Sequence, residues 1–327
     1  MPRARVLVTR RVPLSVIDRL RAECDVEVHD SSDDLSNDEL RARLGGKQGA
    51  LTVITDRVDA ATLDAAPGLK VVANIAVGYD NIDVTAAEQR GVIVTNTPDV
   101  LTDAVADLAI AMLLDVTRRV TEGDRLVRRG GWRGWALDFM LGTELRGRQL
   151  GIVGLGRIGA AVGQRAEAFG MRVAFVARPE RDEGRRALVR PGWQGLTFDE
   201  LLSTSDAISV HVPLGSTTRH LIDRRALGRM KPGAVLVNTS RGPVVDEAAL
   251  ADVLRAGRIG GAALDVFEDE PRVHAGLLDL EHVLLVPHLG SATHETRTAM
   301  ADLAARNVLA VLAGQPPLTP VTPRGFS

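Results

Sequence analysis

Short apolar runs alternate along the chain with amphipathic segments whose apolar residues recur at helical spacing. In the first third, these runs predict strands at residues 5–9, 26–29, 50–54, 71–75 and 92–95. A second series predicts strands at residues 149–153, 171–176, 207–211, 234–238, 261–266 and 283–286. This alternation of strand and helix is typical of α/β folds with parallel sheets.

Two longer helical patterns bear on the domain organisation. Residues 104–127 contain one glycine and no proline, which predicts a single long helix. A last helix is predicted over residues 293–313, with Thr293 as its cap, and it can return to the first domain. We therefore expect a Rossmann-type, doubly wound domain over residues 99–291. A smaller, discontinuous, flavodoxin-like domain is expected over residues 1–98 with 292–327.

Composition and charge narrow the classes of function. The chain has a formal net charge of −2 and no basic stripe with interleaved aromatic residues, which argues against nucleic-acid binding. No apolar run approaches the roughly 20 residues needed to span a bilayer, so we expect no membrane insertion. The one cysteine, Cys24, has no partner for an internal disulfide. We interpret it as a packing residue of the first helix in a cytoplasmic protein.

The glycine-rich run Gly154-Leu155-Gly156-Arg157-Ile158-Gly159 follows a predicted strand and opens a helix. In this context, a G-x-G-x-x-G run predicts a dinucleotide site. Gly154 permits a tight turn, Gly156 lets a pyrophosphate approach the backbone, and Gly159 lets helix and strand pack closely. The helix N-terminus offers N–H groups and a positive dipole to the phosphates. The alternative is a glycine turn without a ligand.

The end of the next strand bears on the choice of cofactor. NAD sites usually have a carboxylate there for the ribose hydroxyls, whereas this strand ends at Ala177-Arg178. An arginine can form two hydrogen bonds with a 2′-phosphate. We therefore predict NADP as the preferred cofactor, with NAD as the second. The alternative is that Arg178 is a solvated loop residue and both cofactors are accepted.

Three of the predicted strands end in a cation, a carboxylate cluster and a histidine, which are Arg241, Glu268-Asp269-Glu270 and His288. In open α/β sheets, ligands bind outside the carboxyl ends of the strands, so these groups are candidates for one site. Other histidines do not follow a strand, except for His211. We interpret His211 as a structural residue beside the cofactor.

This set of side chains suits the reduction of a small 2-keto acid and requires no metal. Arg241 can bind the carboxylate and polarise the ketone. His288 as imidazolium can protonate the new alkoxide, and Glu270 would favour that charged form and hold the ring. The alternatives are an ordinary salt bridge for Arg241 and Glu270, and a buried, backbone-bonded ring for His288.

The stretches at residues 237–242, 265–271 and 287–291 resemble the three signatures of D-isomer-specific 2-hydroxyacid dehydrogenases. This resemblance implies that Arg241, Glu270 and His288 are catalytic. The loop at residues 76–81 is similar to the substrate loop of that family, which implies that the N–H groups of Val77 and Gly78 bind the substrate carboxylate. Arg241 and His288 complete the predicted substrate-binding set.

The resemblance also implies a set of cofactor-lining positions. Val105 corresponds to a residue that packs on the nicotinamide, and Asp265 to one that bonds its carboxamide. Together with the glycine-rich run, the predicted cofactor-binding residues are Gly154, Leu155, Gly156, Arg157, Ile158, Gly159, Arg178, Val212, Pro213, Thr239, Ser240, Arg241, Asp265, His288, Gly290 and Val105.

Within that family, the run from residue 97 to residue 142 looks most like glyoxylate/hydroxypyruvate reductases. The resemblance to that branch implies a homodimer in which the segment around Trp132 to Leu141 packs around the partner subunit. Trp135 or Phe139 could close the partner's substrate pocket, or could only pack in the dimer interface. Two alternatives stay open. One is a phosphoglycerate or 2-ketogluconate dehydrogenase or reductase, and the other is a nucleotide-sensing binding protein of the corepressor type.

Overall fold

The computed structural model of the chain describes residues 2–177 and 187–323. The chain divides into two compact units, unit 1 with Met1–Leu101 and Thr293–Ser327, and unit 2 with Thr102–Ala292. Each unit has a sheet covered by helices, and the predicted α/β class is confirmed. Among the described residues, no helix has the length and apolar character that crossing a membrane requires.

Unit 1 has the strand order of a flavodoxin-like sheet. Its elements are β1 (Ala4–Val8), α1 (Leu14–Glu23), β2 (Cys24–Val28), α2 (Asn37–Leu44), β3 (Gly49–Thr52), α3 (Ala60–Asp64), β4 (Val71–Asn74), α4 (Val84–Gln89), β5 (Ile93–Thr95), α12 (His294–Leu312) and β13 (Pro320–Val321). The order is β13-β5-β4-β3-β1-β2, parallel except for β13. The last helix packs against α1, β3 and β4, and Thr293 caps it as predicted.

Unit 2 is a Rossmann-type sheet in which all described strand pairs are parallel. Its elements are α5 (Thr102–Arg118), α6 (Val120–Arg128), β6 (Gln149–Val153), α7 (Arg157–Ala168), β7 (Arg172–Val176), β8 (Gln194–Leu196), α8 (Phe198–Thr204), β9 (Ala207–Val210), α9 (Arg224–Arg229), β10 (Val235–Asn238), α10 (Glu247–Arg255), β11 (Gly261–Leu264), α11 (Ala275–Leu278) and β12 (Val283–Leu285). The order is β12-β11-β10-β9-β6-β7-β8, which reverses direction between β9 and β6. Such a switch point is where doubly wound sheets bind nucleotides.

The single helix predicted over residues 104–127 is wrong, because the chain breaks between α5 and α6. Arg119 has a φ of 58°, in the left-handed region that does not continue a helix. The carbonyl of Thr117 accepts the N–H of Thr143 at 2.8 Å. The Asp115 carboxylate accepts the N–H and hydroxyl of Thr121 at 2.9 and 2.7 Å, which provides a hydrogen-bond acceptor for the start of α6. These tertiary bonds override a continuous helical pattern.

Two short edge strands and the place of Cys24 also differ from expectation. β8 and β13 contain no apolar run, and they form because a neighbouring strand offers its backbone groups. Cys24 begins β2 instead of lying within α1, and its side chain is buried. Its interpretation as a packing residue is unaffected, since burial raises the pKa of the thiol and disfavours the reactive thiolate.

Candidate active site

The glycine-rich turn after β6 lies at the switch point of the unit 2 sheet. Gly154 has a φ of 106°, and a Cβ there would lie 2.7 Å from the carbonyl carbon of His211 and 2.8 Å from the nitrogen of Val212. Gly159 packs as tightly, because its Cβ would lie 2.4 Å from the Gly154 oxygen. Both positions require glycine for backbone reasons alone.

The surroundings of Gly156 fit the pyrophosphate of a dinucleotide. A Cβ on Gly156 would meet no atom within 4 Å, so the space beside this backbone is open. Gly156 is the N-cap of α7, and because glycine has no side chain, it makes no side-chain cap hydrogen bond to that helix. The first turn of a helix has N–H groups without intrahelical partners, and these bind anions. The residues present therefore fit a nicotinamide dinucleotide.

Two glycine substitutions separate the structural from the ligand-binding role of this turn. Gly154→Ala should lower the free energy of unfolding, because its Cβ collides with the backbone after β9. Gly156→Ala should leave the thermal melting temperature near that of wild type, since its Cβ enters open space. It should nevertheless weaken dinucleotide binding by about tenfold or more, a steric loss of roughly 1.4 kcal/mol. Calorimetric melting and titration measure both effects, and equal melting temperatures with equal affinities would contradict this division.

The other predicted cofactor-lining residues differ in what they offer a ligand. The Leu155 side chain is buried in the core, so it can act only through its backbone, and Arg157 is exposed. The Thr239 hydroxyl is buried without a hydrogen-bond partner among the described residues, and such a group is available to a ligand. Of the other predicted cofactor-lining residues, Ile158 belongs to the first turn of α7. Val212 and Pro213 follow β9, and Ser240 follows β10.

Arg178, on which the preference for NADP depends, lies outside the described residues. The structure does describe Ala177, which follows β7 and whose N–H donates to the Leu196 carbonyl at 2.9 Å. No carboxylate therefore stands at the first position after this strand.

Arg241, Glu270 and His288 follow β10, β11 and β12, which are neighbours in the sheet. The last residues of these strands are in register, since Asn238 pairs with Leu264 and Leu264 with Leu285. The three loops therefore begin at one edge of the sheet.

The turn that carries His288 is held by Asp265. The N–H groups of Leu289 and Gly290 donate to its carboxylate at 2.5 and 2.8 Å, and the N–H of His288 donates to its carbonyl at 2.9 Å. These bonds offset the left-handed backbone of His288, whose φ is 50° and which costs about 1–2 kcal/mol. Burial raises the pKa of Asp265, and the Leu289 N–H opposes that rise. Val105 is adjacent, since a Cβ on Gly290 would lie 3.4 Å from its side chain.

Glu270 and His288 form a direct pair, with Glu270 Oε2 2.9 Å from His288 Nδ1. The other oxygen of Glu270 accepts the N–H of Phe267 at 3.1 Å. Burial alone would raise the pKa of Glu270, but the hydrogen bond and charge of His288, the Phe267 N–H and the Arg241 charge outweigh it, and the pKa is lowered. Glu270 is therefore an anion near neutral pH. No hydrogen bond to Nε2 of His288 is found in the described ranges, so this nitrogen can exchange a proton with a ligand.

The turn that carries Arg241 depends on Asn238 and Gly242. The Asn238 amide donates to the Arg241 carbonyl at 3.0 Å, and its oxygen accepts the N–H and hydroxyl of Ser240 at 3.0 and 2.8 Å. A Cβ on Gly242 would lie 1.8 Å from the carbonyl carbon of Phe267, so the backbones of the Arg241 and Glu270 loops are in contact. The guanidinium of Arg241 donates to the Ser240 carbonyl at 2.9 Å.

The predicted carboxylate cluster does not act as one group. Only Glu270 bonds to His288, whereas Glu268 bonds to His220 Nε2 at 2.9 Å and accepts the Glu247 N–H at 2.9 Å. Asp269 forms an exposed ion pair with Arg272. His211 bonds to the Ser209 hydroxyl at 2.8 Å, and burial lowers its pKa to about 4, which fits its interpretation as a structural residue.

Val77 and Gly78 lie in a half-buried loop of unit 1 that follows β4. Their own carbonyl groups accept hydrogen bonds from Asn96 and Asn74, at 2.8 and 2.9 Å. These two asparagines and Asn238 are not among the residues predicted for the site from the sequence. The available signal was an asparagine within one residue of the end of a predicted strand.

Comparison with known proteins identifies one family. Residues 110–290 match the family model of the D-isomer specific 2-hydroxyacid dehydrogenase, NAD binding domain. Glyoxylate reductase from Thermococcus onnurineus is 46% identical over 319 residues, which cover 96% of this chain and 95% of that protein. Glyoxylate reductase from Pyrococcus furiosus is 43% identical over 319 residues, with 96% and 94% covered.

Solved structures resemble the chain over nearly its whole length. A Thermus thermophilus protein superposes with a TM-score of 0.90 at 45% identity, covering 97% of this chain and 100% of its own. The NADPH-dependent glyoxylate/hydroxypyruvate reductase from Sinorhizobium meliloti, in complex with NADP and malonate, has a TM-score of 0.86 at 37% identity. That match covers 99% of this chain and 100% of the other.

Proposed function

This chain belongs to the D-isomer specific 2-hydroxyacid dehydrogenase family, and from that premise we propose that it reduces small 2-keto acids, glyoxylate and hydroxypyruvate first among them. The observation that carries the proposal is the pair formed by Glu270 and His288. Within the described residues the Nε2 of that histidine has no hydrogen bond, and Arg241 follows a strand of the same sheet edge. The relatives that are glyoxylate reductases support the choice of substrate.

We propose one role for each of the three side chains. When bound, the nicotinamide supplies a hydride for the keto carbon. Arg241 binds the substrate carboxylate and polarises the ketone oxygen, so that negative charge develops beside a fixed cation. His288 donates the Nε2 proton to that oxygen as the hydroxyl forms. Glu270 accepts the Nδ1 hydrogen bond and holds the imidazolium in orientation.

Further proposed contacts concern the substrate carboxylate and the cofactor. The N–H groups of Val77 and Gly78 bind the carboxylate. Val105, Thr239, Asp265 and Gly290 line the nicotinamide end of the cofactor. The Thr239 hydroxyl, buried without a partner in the described residues, and the proximity of Gly290 to Val105 support this set.

NADP is the cofactor we propose to be preferred, with NAD as a weaker alternative. No carboxylate stands at Ala177 to bind ribose hydroxyls, and an arginine follows it in the sequence. The Sinorhizobium meliloti relative, an NADPH-dependent enzyme, carries NADP in its structure.

Steady-state turnover of the wild-type protein tests both proposals. NADPH and NADH are each combined with glyoxylate, hydroxypyruvate, 3-phosphohydroxypyruvate and 2-ketogluconate. We expect the highest kcat/KM with NADPH and one of the first two acids. A preference for NADH would contradict the cofactor assignment. Binding of dinucleotide without turnover of any keto acid would favour a nucleotide-sensing protein instead.

The charge of Glu270 should be visible in the pH dependence. Because its pKa is lowered, Glu270 is ionised throughout the neutral range, with its Oε2 2.9 Å from His288 Nδ1. Glu270→Gln keeps a hydrogen-bonding side chain but removes that charge. We expect the alkaline limb of the kcat profile for reduction to move to lower pH by about one unit. Glu268→Gln, which removes the charge beside His220, is the matched control, and an unmoved limb in Glu270→Gln would contradict the proposal.

A homodimer is proposed from the apolar segment between α6 and β6. Trp135 and Leu137 are 82% and 81% exposed, and Trp132 and Leu141 are also largely exposed. Contiguous exposed apolar side chains of this kind mark interaction surfaces. Light scattering should give twice the 34.9 kDa of one chain. Trp135→Asp with Leu137→Asp should yield the monomer mass, whereas Leu14→Asp, at an exposed leucine of α1, should not.

A further inference from the structure

The loop after β4 has three consecutive carbonyl groups that are each held by a hydrogen bond. The Ala76 carbonyl accepts the N–H of Thr97 at 2.9 Å. The Val77 carbonyl accepts the side-chain amide of Asn96 at 2.8 Å, and the Gly78 carbonyl accepts that of Asn74 at 2.9 Å. All of these partners belong to unit 1.

Holding a carbonyl also fixes the N–H of the next residue. In a trans peptide the two groups lie in one plane and point in opposite directions. The N–H groups of Val77, Gly78 and Tyr79 are therefore directed away from the Thr97 backbone, Asn96 and Asn74, respectively. Within the described ranges, none of these three N–H groups donates a hydrogen bond. Three consecutive unbonded donors in a half-buried loop are available to an anion.

The backbone of Asn96 is itself held by Thr319, which follows α12. The Asn96 carbonyl accepts the Thr319 hydroxyl at 2.6 Å. Asn307 is fully buried, and its amide nitrogen donates to the Thr319 hydroxyl at 2.8 Å. Its oxygen accepts the Thr319 N–H at 3.0 Å. A route of hydrogen bonds thus runs from α12 to the Val77 carbonyl.

Asn74 is equally constrained at the end of β4. It is fully buried, and its side-chain oxygen accepts the Thr52 hydroxyl at 3.2 Å. Its nitrogen also donates to Asn81 Oδ1 at 3.2 Å, in addition to the Gly78 carbonyl. Both asparagines bond to the loop through their side-chain nitrogens.

We propose that Asn96 and Asn74 are positioning residues that orient the N–H groups of Gly78 and Tyr79 toward the carboxylate of the substrate, with Thr319 holding Asn96. This inference rests on the proposed function and adds the Tyr79 N–H to the predicted carboxylate donors. Donors that are oriented beforehand bind an anion without reorganisation. Loss of the amide releases the peptide group to rotate, so the affinity for a carboxylate falls while the dinucleotide is bound as before.

Asn96→Ala tests the proposal, with Gln48→Ala as a matched control. Gln48 is also half-buried in unit 1, and its amide bonds to the Gly46 carbonyl and the Arg5 N–H, away from the loop. The readouts are KM for glyoxylate, the inhibition constant of oxamate, kcat, the affinity for NADPH and the melting temperature. We expect Asn96→Ala to raise KM and the oxamate constant in parallel by about tenfold. Its NADPH affinity should match that of Gln48→Ala.

Several outcomes separate this proposal from the proposed function. Equal KM and oxamate constants in Asn96→Ala and Gln48→Ala would overturn the proposal, as would a parallel loss of NADPH affinity. If Asn96→Ala does not fold, Thr319→Val is tested in its place. We expect it to raise KM and the oxamate constant in parallel, by a smaller factor. If wild type does not reduce glyoxylate, the proposed function fails. In that case, calorimetric titration of oxamate with NADPH present compares wild type with Asn96→Ala and tests the positioning role. If oxamate binds to neither of these two proteins, the positioning role is overturned as well.

Discussion

Replacing His288 with asparagine should lower kcat for reduction of the 2-keto acid by about 10²- to 10⁴-fold, with a much smaller change in KM. The reason is that the amide cannot supply a proton, while Arg241 still binds the carboxylate. Asparagine is the informative substitute, because His288 has a φ of 50° and asparagine tolerates the left-handed region. The backbone held by Asp265 is therefore preserved.

The matched control for this loss is His220→Asn. His220 also bonds to a glutamate at 2.9 Å, and its side chain is 38% exposed, against 31% for His288. If an ordinary histidine–glutamate pair were all that mattered, the two substitutions would reduce kcat alike. We expect only the change at residue 288 to abolish most of the turnover. Comparable kcat values in wild type and His288→Asn would remove the proton donor from the mechanism.

Arg241→Ala should reduce kcat/KM by about 10²- to 10⁴-fold, through both a higher KM and a lower kcat. Binding loses the cation for the carboxylate, and the developing charge on the ketone oxygen loses its stabilisation. Arg241→Lys should fall between wild type and alanine, because an ammonium keeps the charge but cannot form two parallel hydrogen bonds. Steady-state kinetics over a range of keto-acid concentrations measures both parameters.

Arg272→Ala is the control for the charge at this edge of the sheet. Arg272 pairs with Asp269 in the loop that also carries Glu270, and both side chains are exposed. Exposed pairs contribute about 0–1 kcal/mol, so its removal should leave kcat/KM close to wild type. An Arg241→Ala enzyme as active as Arg272→Ala would refute the assigned role of Arg241.

Local patterns were sufficient for the strands that have apolar runs and for the nucleotide turn. Apolar runs are a local property, and the glycine spacing of residues 154–159 is a local steric requirement. The rule that ligands lie at the carboxyl ends of parallel strands then selected Arg241, Glu270 and His288 without a structure. The register of Asn238, Leu264 and Leu285 explains why the rule applies here. Strands that end at the same level of the sheet begin their following loops at the same edge.

Such local patterns could not predict hydrogen bonds between residues that are distant in the sequence. Glu268 and Glu270 lie in one loop, but Glu268 meets His220 and Glu247 whereas Glu270 meets His288, and the partners of Glu268 were not predicted. The break at Arg119 likewise depends on bonds from Asp115 and Thr143 that a helical period cannot reveal.

By itself, the sequence determined the α/β class, the glycine turn for a dinucleotide and the three polar side chains at the strand ends, because each depends on residue type and spacing. Only the tertiary structure decided which residues Glu268 pairs with and which asparagines hold the loop of Val77 and Gly78. Those choices depend on hydrogen bonds between residues far apart in the chain, whose directions exist only once the backbone is folded.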